Sequence, residues 1–161
     1  MNLRKGVLVV CADSECRQML LDTLKDWDAS PRVVGTITEA RQALTSRSIE
    51  LVFCEDRLAD GRYSDLLDMT ALSRTPARLV VLTHGDEEQA YAEAIQAGAF
   101  DAIPIPFSRS DVQWMIIHAL SITGSRRDLT ARRAEKRLAG GTEPAEEKPM
   151  SQQQRGAGHR A

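Results

Sequence analysis

Short apolar runs alternate with segments of helical period along the first three-quarters of the chain. "VLVVC" (7–11) reads as a buried strand. Cys16, Leu20, Leu24 and Trp27 then recur at spacings of four, four and three, which is one face of a helix. "PRVVGT" (31–36) contains a second, short strand, and "TEARQALTS" (38–46) a short helix with Ala40, Ala43 and Leu44 inward. "LVFC" (51–54) predicts a third strand and "SDLLDMTAL" (64–72) a helix. "RLVVL" (78–82) predicts a fourth strand. Segment 86–97 opens on Asp86, Glu87 and Glu88, which suit the positive end of a helix dipole, and Gly98 suits its stop. Its inward face is Ala90, Tyr91, Ala94 and Ile95. "AIPI" (102–105) predicts a fifth strand. "SRSD" (108–111) is a Ser-x-x-Asp helix start, followed by Val112, Met115, Ile116, Ala119 and Leu120 on one face.

Five strands alternating with five helices predict an α/β fold with a parallel sheet. Strands two to five are continuous apolar runs, as expected of a sheet covered on both faces. After about residue 124 the pattern fades. "RRDLTARRAEKRLAGG" (126–141) offers only a thin stripe of Leu129, Ala134 and Leu138, and beyond Gly140 apolar residues are sparse. The expected division is a domain over 1–124 and a largely disordered tail over 125–161, with a helix extension over 125–138 as an option.

The chain of 161 residues has a net charge of −2, unevenly spread. Residues 125–161 carry nine Lys and Arg against five Asp and Glu, a net of +4, so residues 1–124 carry −6. The basic stretch 126–137 has no aromatic residue and is interleaved with Asp128 and Glu135, so a solvated helix extension is favoured over a nucleic-acid arm. No run approaches the roughly 20 apolar residues of a membrane span. The N-terminal apolar run falls short of a signal-peptide core of about 7–15 residues. Cys11, Cys16 and Cys54 lack metal-ligand spacing and read as reduced thiols of a cytoplasmic protein. No nucleophilic triad and no Gly-rich phosphate loop is evident, so an enzyme is not expected.

In a parallel α/β sheet, ligands bind outside the carboxyl ends of the strands. The residues there are Cys11, Ala12 and Asp13; Glu55 and Asp56; Thr83 and His84; and Ile105, Pro106 and Phe107. With these in place, the sequence resembles the receiver domains of bacterial two-component response regulators over roughly residues 4–122. "VLVV" is followed by a polar turn and Arg17. "LVFCEDRLADG" stands where the family has a strand, an Asp and a Leu-Pro-Asp-Gly loop. "LVVLTH" and "AGAFDAIPIPF" match strands that end in Thr or Ser and in Lys-Pro-Phe. The resemblance implies a flavodoxin-like three-layer sandwich with five parallel strands in the order 2-1-3-4-5.

Carried over residue by residue, the functional pattern is depleted. The family's two metal-organising acids fall on Cys11 and Ala12, with Asp13 one residue late. The phospho-acceptor position is Glu55, the Lys position Ile105, and the aromatic switch position Ala102. Thr83 and the Pro106-Phe107 pair remain, and the resemblance implies a cis bond before Pro106. Glu55 is longer than Asp by about one methylene, which spoils in-line geometry. It reads as a hydrogen-bonded or solvated carboxylate, with a stand-in for phospho-Asp as the sharper option, for which Arg57 or His84 would be the cation. Asp56 is expected to point away from the pocket. No cofactor is expected; Mg²⁺ would have only Asp13 and Glu55, weak candidates for ligands.

The function expected is that of a degenerate, stand-alone receiver that works through protein–protein contacts without Asp phosphorylation. Its partners would be signalling proteins such as a histidine kinase or an effector, or a second copy. The resemblance implies docking through the fourth and fifth helices and fifth strand, near Tyr91, 102–105 and 112–120. The rivals are a receiver still phosphorylated on Glu55 or a neighbouring carboxylate, and a tail-driven nucleic-acid adaptor.

Overall fold

The computed structural model describes residues 6–46, 48–72 and 76–121. The elements run β1 (Gly6–Val10), α1 (Ser14–Lys25), β2 (Arg32–Val34), α2 (Ile37–Ser46), β3 (Ile49–Glu55), β4 (Arg57–Leu58), β5 (Gly61–Arg62), α3 (Ser64–Leu72), β6 (Arg78–Thr83), α4 (Glu87–Ala97), β7 (Asp101–Pro104) and α5 (Arg109–Ser121). The tail over 125–161 and its helix extension lie outside the described residues.

The main sheet is parallel, in the order β2-β1-β3-β6-β7, which is the order the family resemblance implies. Strand alternation sorts the apolar side chains into two layers. Val7, Val9, Cys11, Leu51, Phe53, Val80, Leu82 and Ile103 pack with Cys16, Leu20 and Leu24 of α1 and Val112, Met115 and Ile116 of α5. Leu8, Val10, Val52, Cys54, Leu79, Val81 and Ala102 pack with α2, α3 and α4 on the other face. Tyr91 and Ala102, the switch position, share this second layer.

The helix ends follow the sequence signals. Asp86 caps α4 by accepting from the N–H groups of Glu88 and Gln89, and Gly98 ends it at φ 106°, where a side chain would be strained. Ser108 and Asp111 bond reciprocally: Ser108 N–H donates to Asp111 Oδ2 at 2.8 Å, and Asp111 N–H donates to Ser108 Oγ at 3.2 Å. Trp27 lies just past the end of α1 and packs, partly buried, against the first layer.

The pattern does not predict the β4–β5 ribbon. Two residues per strand give no periodicity, and the ribbon stands on turn chemistry instead. Its turn presents Asp60, which accepts from the N–H groups of Ile37 and Thr38 at 2.8 and 2.9 Å and so caps α2. Gly61 is required beside it, because a Cβ there would lie 2.5 Å from Asp65 Oδ2, the oxygen that accepts the Arg62 N–H at 2.9 Å. No described helix is long and apolar enough to cross a membrane.

Candidate functional site

The carboxyl ends of β1, β3, β6 and β7 gather the residues that the sequence singles out. Alternation puts Glu55 on the same face as Cys11, two residues beyond Phe53. Its side chain is 4% exposed and reaches the β1–α1 loop. Glu55 Oε2 accepts the Ala12 N–H at 2.9 Å, and Oε1 accepts the Asp13 N–H at 3.4 Å. Glu55 is thus a buried, hydrogen-bonded carboxylate rather than a solvated one. The acceptor position therefore carries a carboxylate turned into backbone amides.

The loop is held from the other side by Arg17. Its guanidinium donates to the Cys11 carbonyl at 3.2 and 2.7 Å and to the Ala12 carbonyl at 3.5 Å. Asp13 accepts the Cys16 N–H at 2.7 Å as the N-cap of α1, so this exposed acid is committed to the helix end. Arg17 is the residue that follows the polar turn in the sequence pattern; its bonds to the two loop carbonyls come only with the fold.

Asp56 follows the last residue of β3, and its charge reaches Cys54 and Tyr63 of the second layer. The Asp56 carboxylate turns to β6, where Oδ1 lies 2.8 Å from His84 Nδ1 and Oδ2 accepts the His84 N–H at 3.2 Å. His84 thus partners Asp56 rather than Glu55, and Arg57 is exposed on the ribbon. Thr83 is buried, its hydroxyl donating to the Ile103 carbonyl at 3.4 Å. Ile105, at the Lys position, packs half-buried against the layer that holds Cys11 and Phe107, and the Ile105–Pro106 bond is cis.

The thiols sort by face. Cys54 belongs to the second layer, where burial pushes its thiol up, with Glu55 and Asp56 adding to it. Cys11 belongs to the first, where contact with the Cys16 thiol, burial and the Glu55 charge all raise it. Spacing in sequence does not reveal that Cys11 Sγ, Cys16 Sγ and a Glu55 oxygen lie within 4.8 Å of one another, all three buried. Two soft thiols and one carboxylate are ill matched to Mg²⁺, which takes hard oxygen ligands and keeps several waters.

No protein-family model matches the chain. Among curated proteins it is similar to the response regulator PilR of Pseudomonas aeruginosa, 25% identical over 119 residues, covering 74% of this chain and 27% of that protein. It is also similar to an NtrX-like response regulator of Rickettsia felis, 28% identical over 125 residues, covering 76% and 26%. The chain thus spans about a quarter of the length of these relatives. Among solved structures it is similar to a two-component response regulator from Clostridium difficile, with a TM-score of 0.67 at 21% identity over 76% of this chain and 100% of that one. The beryllofluoride-activated NtrC4 receiver domain dimer superposes with a TM-score of 0.63 at 22% identity, over 71% and 94%. The described residues have the receiver fold of response regulators.

Proposed function

We propose that this domain is a signalling module of a bacterial two-component pathway that acts through protein–protein contacts, without phosphorylation of the acceptor position and without Mg²⁺. One observation carries the reading: the Glu55 carboxylate is buried, and each of its oxygens already accepts a backbone N–H, from Ala12 and from Asp13. Phosphoryl transfer needs an in-line oxygen and cations around the developing charge. Here Cys11 and Ala12 stand at the acid positions and Ile105 at the Lys position, so that charge would meet neither metal nor ammonium.

The partner is a histidine kinase, an effector or a second copy, since the relatives are response regulators and one similar structure is a receiver dimer. The docking face runs along α4, β7 and α5. Its support is that β7 is the sheet edge and that α5 exposes Trp114 by 50% and Ile117 by 46%. Large exposed apolar side chains at an edge suit a protein partner.

The test is incubation of the full chain with Mg²⁺ and a small acyl-phosphate donor, read by intact mass. The expected result is no change. A stoichiometric gain of about 80 Da, one phosphoryl group, that disappears in Glu55→Ala would overturn the proposal.

A further inference from the structure

The depleted receiver pocket contains a donor set of a different kind. Cys11 follows the last residue of β1, Cys16 lies in the first turn of α1, and Glu55 closes β3. Three separate elements deliver two sulfurs and a carboxylate oxygen to within 4.8 Å of one another. All are buried, at 0%, 6% and 4% exposure. In a tetrahedral zinc site, with Zn–S near 2.3 Å, neighbouring donors stand about 3.5–3.8 Å apart. Closing the cluster onto an ion therefore requires a contraction of at most about 1 Å.

The supporting shell is already ordered. Asp13 fixes the turn that carries Cys16 by accepting its N–H, and Arg17 holds the carbonyl of Cys11. Each Glu55 oxygen accepts one backbone N–H and keeps a second lone pair. Ala12 and Asp13, whose N–H groups bond to Glu55, are exposed.

We infer that Cys11, Cys16 and Glu55 form a binding site for one thiophilic divalent cation of the zinc class, with water as the fourth ligand. This departs from the expectation of no metal; it concerns a soft ion rather than Mg²⁺. Binding forms two metal–thiolate bonds and one metal–carboxylate bond, and the two displaced thiol protons leave to solvent, so affinity rises with pH.

The test is a Co²⁺ titration of the reduced full chain, followed by back-titration with Zn²⁺. The expected result is a thiolate-to-cobalt charge-transfer band that saturates at one equivalent and is abolished by Zn²⁺. Cys11→Ser and Cys16→Ser should each weaken binding by about 100-fold or more, since loss of even an outer partner of a metal ligand typically costs about 10–100-fold. Cys54→Ser, on the other face of the sheet, should leave the band intact. Zn²⁺ added to the unmodified chain should move the amide resonances of residues 11–17 and 55, a readout that needs no variant to fold. Absence of the charge-transfer band, or its survival in the Cys11→Ser/Cys16→Ser double variant, overturns the inference. Cobalt held by histidines alone gives no thiolate band and counts against it. The outcome is independent of the phosphoryl test, in which Mg²⁺ is the ion.

Discussion

Glu55 Oε2 lies 2.9 Å from the backbone nitrogen of Ala12, and the bond joins the end of β3 to the loop after β1. It ties adjacent strands of the sheet together beyond their last ladder pair, Val10 with Cys54. Glu55→Ala leaves the Ala12 and Asp13 N–H groups without this acceptor, and a lost partner of a part-buried amide costs about 1–3 kcal/mol. Urea unfolding should show a lower midpoint at an unchanged slope. Glu55→Gln keeps one acceptor oxygen and should fall between the two. A midpoint for Glu55→Ala equal to that of the parent chain would remove the bond from the account of stability.

Acid should loosen the start of α2. The N–H groups of Ile37 and then Thr38 hold the Asp60 carboxylate below its ordinary range, and the Gly35 N–H, then the Thr36 hydroxyl, does the same for Glu39. For a depressed carboxylate the contribution to stability is fully present above the unfolded value, near about 3.9 for Asp. It is lost as pH falls through the lower folded value. The amide shifts of Ile37 and Thr38 should therefore titrate together below that point, and Asp60→Asn should flatten both curves. Unchanged curves in Asp60→Asn would show that another group drives the transition.

The reciprocal pair at the start of α5 makes a separate prediction. Ser108→Ala removes the hydroxyl that accepts the Asp111 N–H, and loss of such a cap costs about 0.5–2 kcal/mol. Thermal unfolding should drop by roughly 4 °C per kcal/mol lost. The site chemistry should not respond, since Ser108 is exposed.

How much of this was legible in the sequence depends on the range of the interaction. The five main strands and five helices follow from apolar period, and their bounds fall within two residues of expectation, with α3 matching at both ends. The cap itself was readable where it lies within four residues, as with Asp86 and Ser108. It was not readable for Asp60, whose bond to Ile37 spans 23 residues. The same holds in the pocket. That Glu55 stands at the acceptor position was readable from order along the chain. That its carboxylate turns into the Ala12 amide, 43 residues away, needed the fold. Cys16 read only as the first rung of a helix face, because its nearness to Cys11 depends on how α1 leaves the strand.

Rebuilding the pocket should restore its chemistry. A variant with Cys11→Asp, Ala12→Asp, Glu55→Asp and Ile105→Lys places the acids, the acceptor and the ammonium at the positions the receiver pattern assigns them. Position 105 is half-buried, so the Lys stem can pack while its head reaches the pocket. With Mg²⁺ and an acyl phosphate, intact mass should show one added phosphoryl group in the fourfold variant and none in Ile105→Lys alone. A folded fourfold variant that gains nothing would locate the block in the loop geometry rather than in the four side chains.

The β1–α1 loop has a partner for every polar backbone atom from Cys11 to Asp13. Cys11 N–H donates to Val34 and the Asp13 carbonyl accepts from the Arg17 N–H; Glu55 takes the two amides between, and the Arg17 guanidinium the two carbonyls. Glu55 is in effect a tethered competitor for the loop amides. A tethered group acts at an effective concentration of about millimolar or higher, so a free anion at lower abundance does not displace it. An oxyanion would have to displace the Glu55 carboxylate to reach the Ala12 and Asp13 amides.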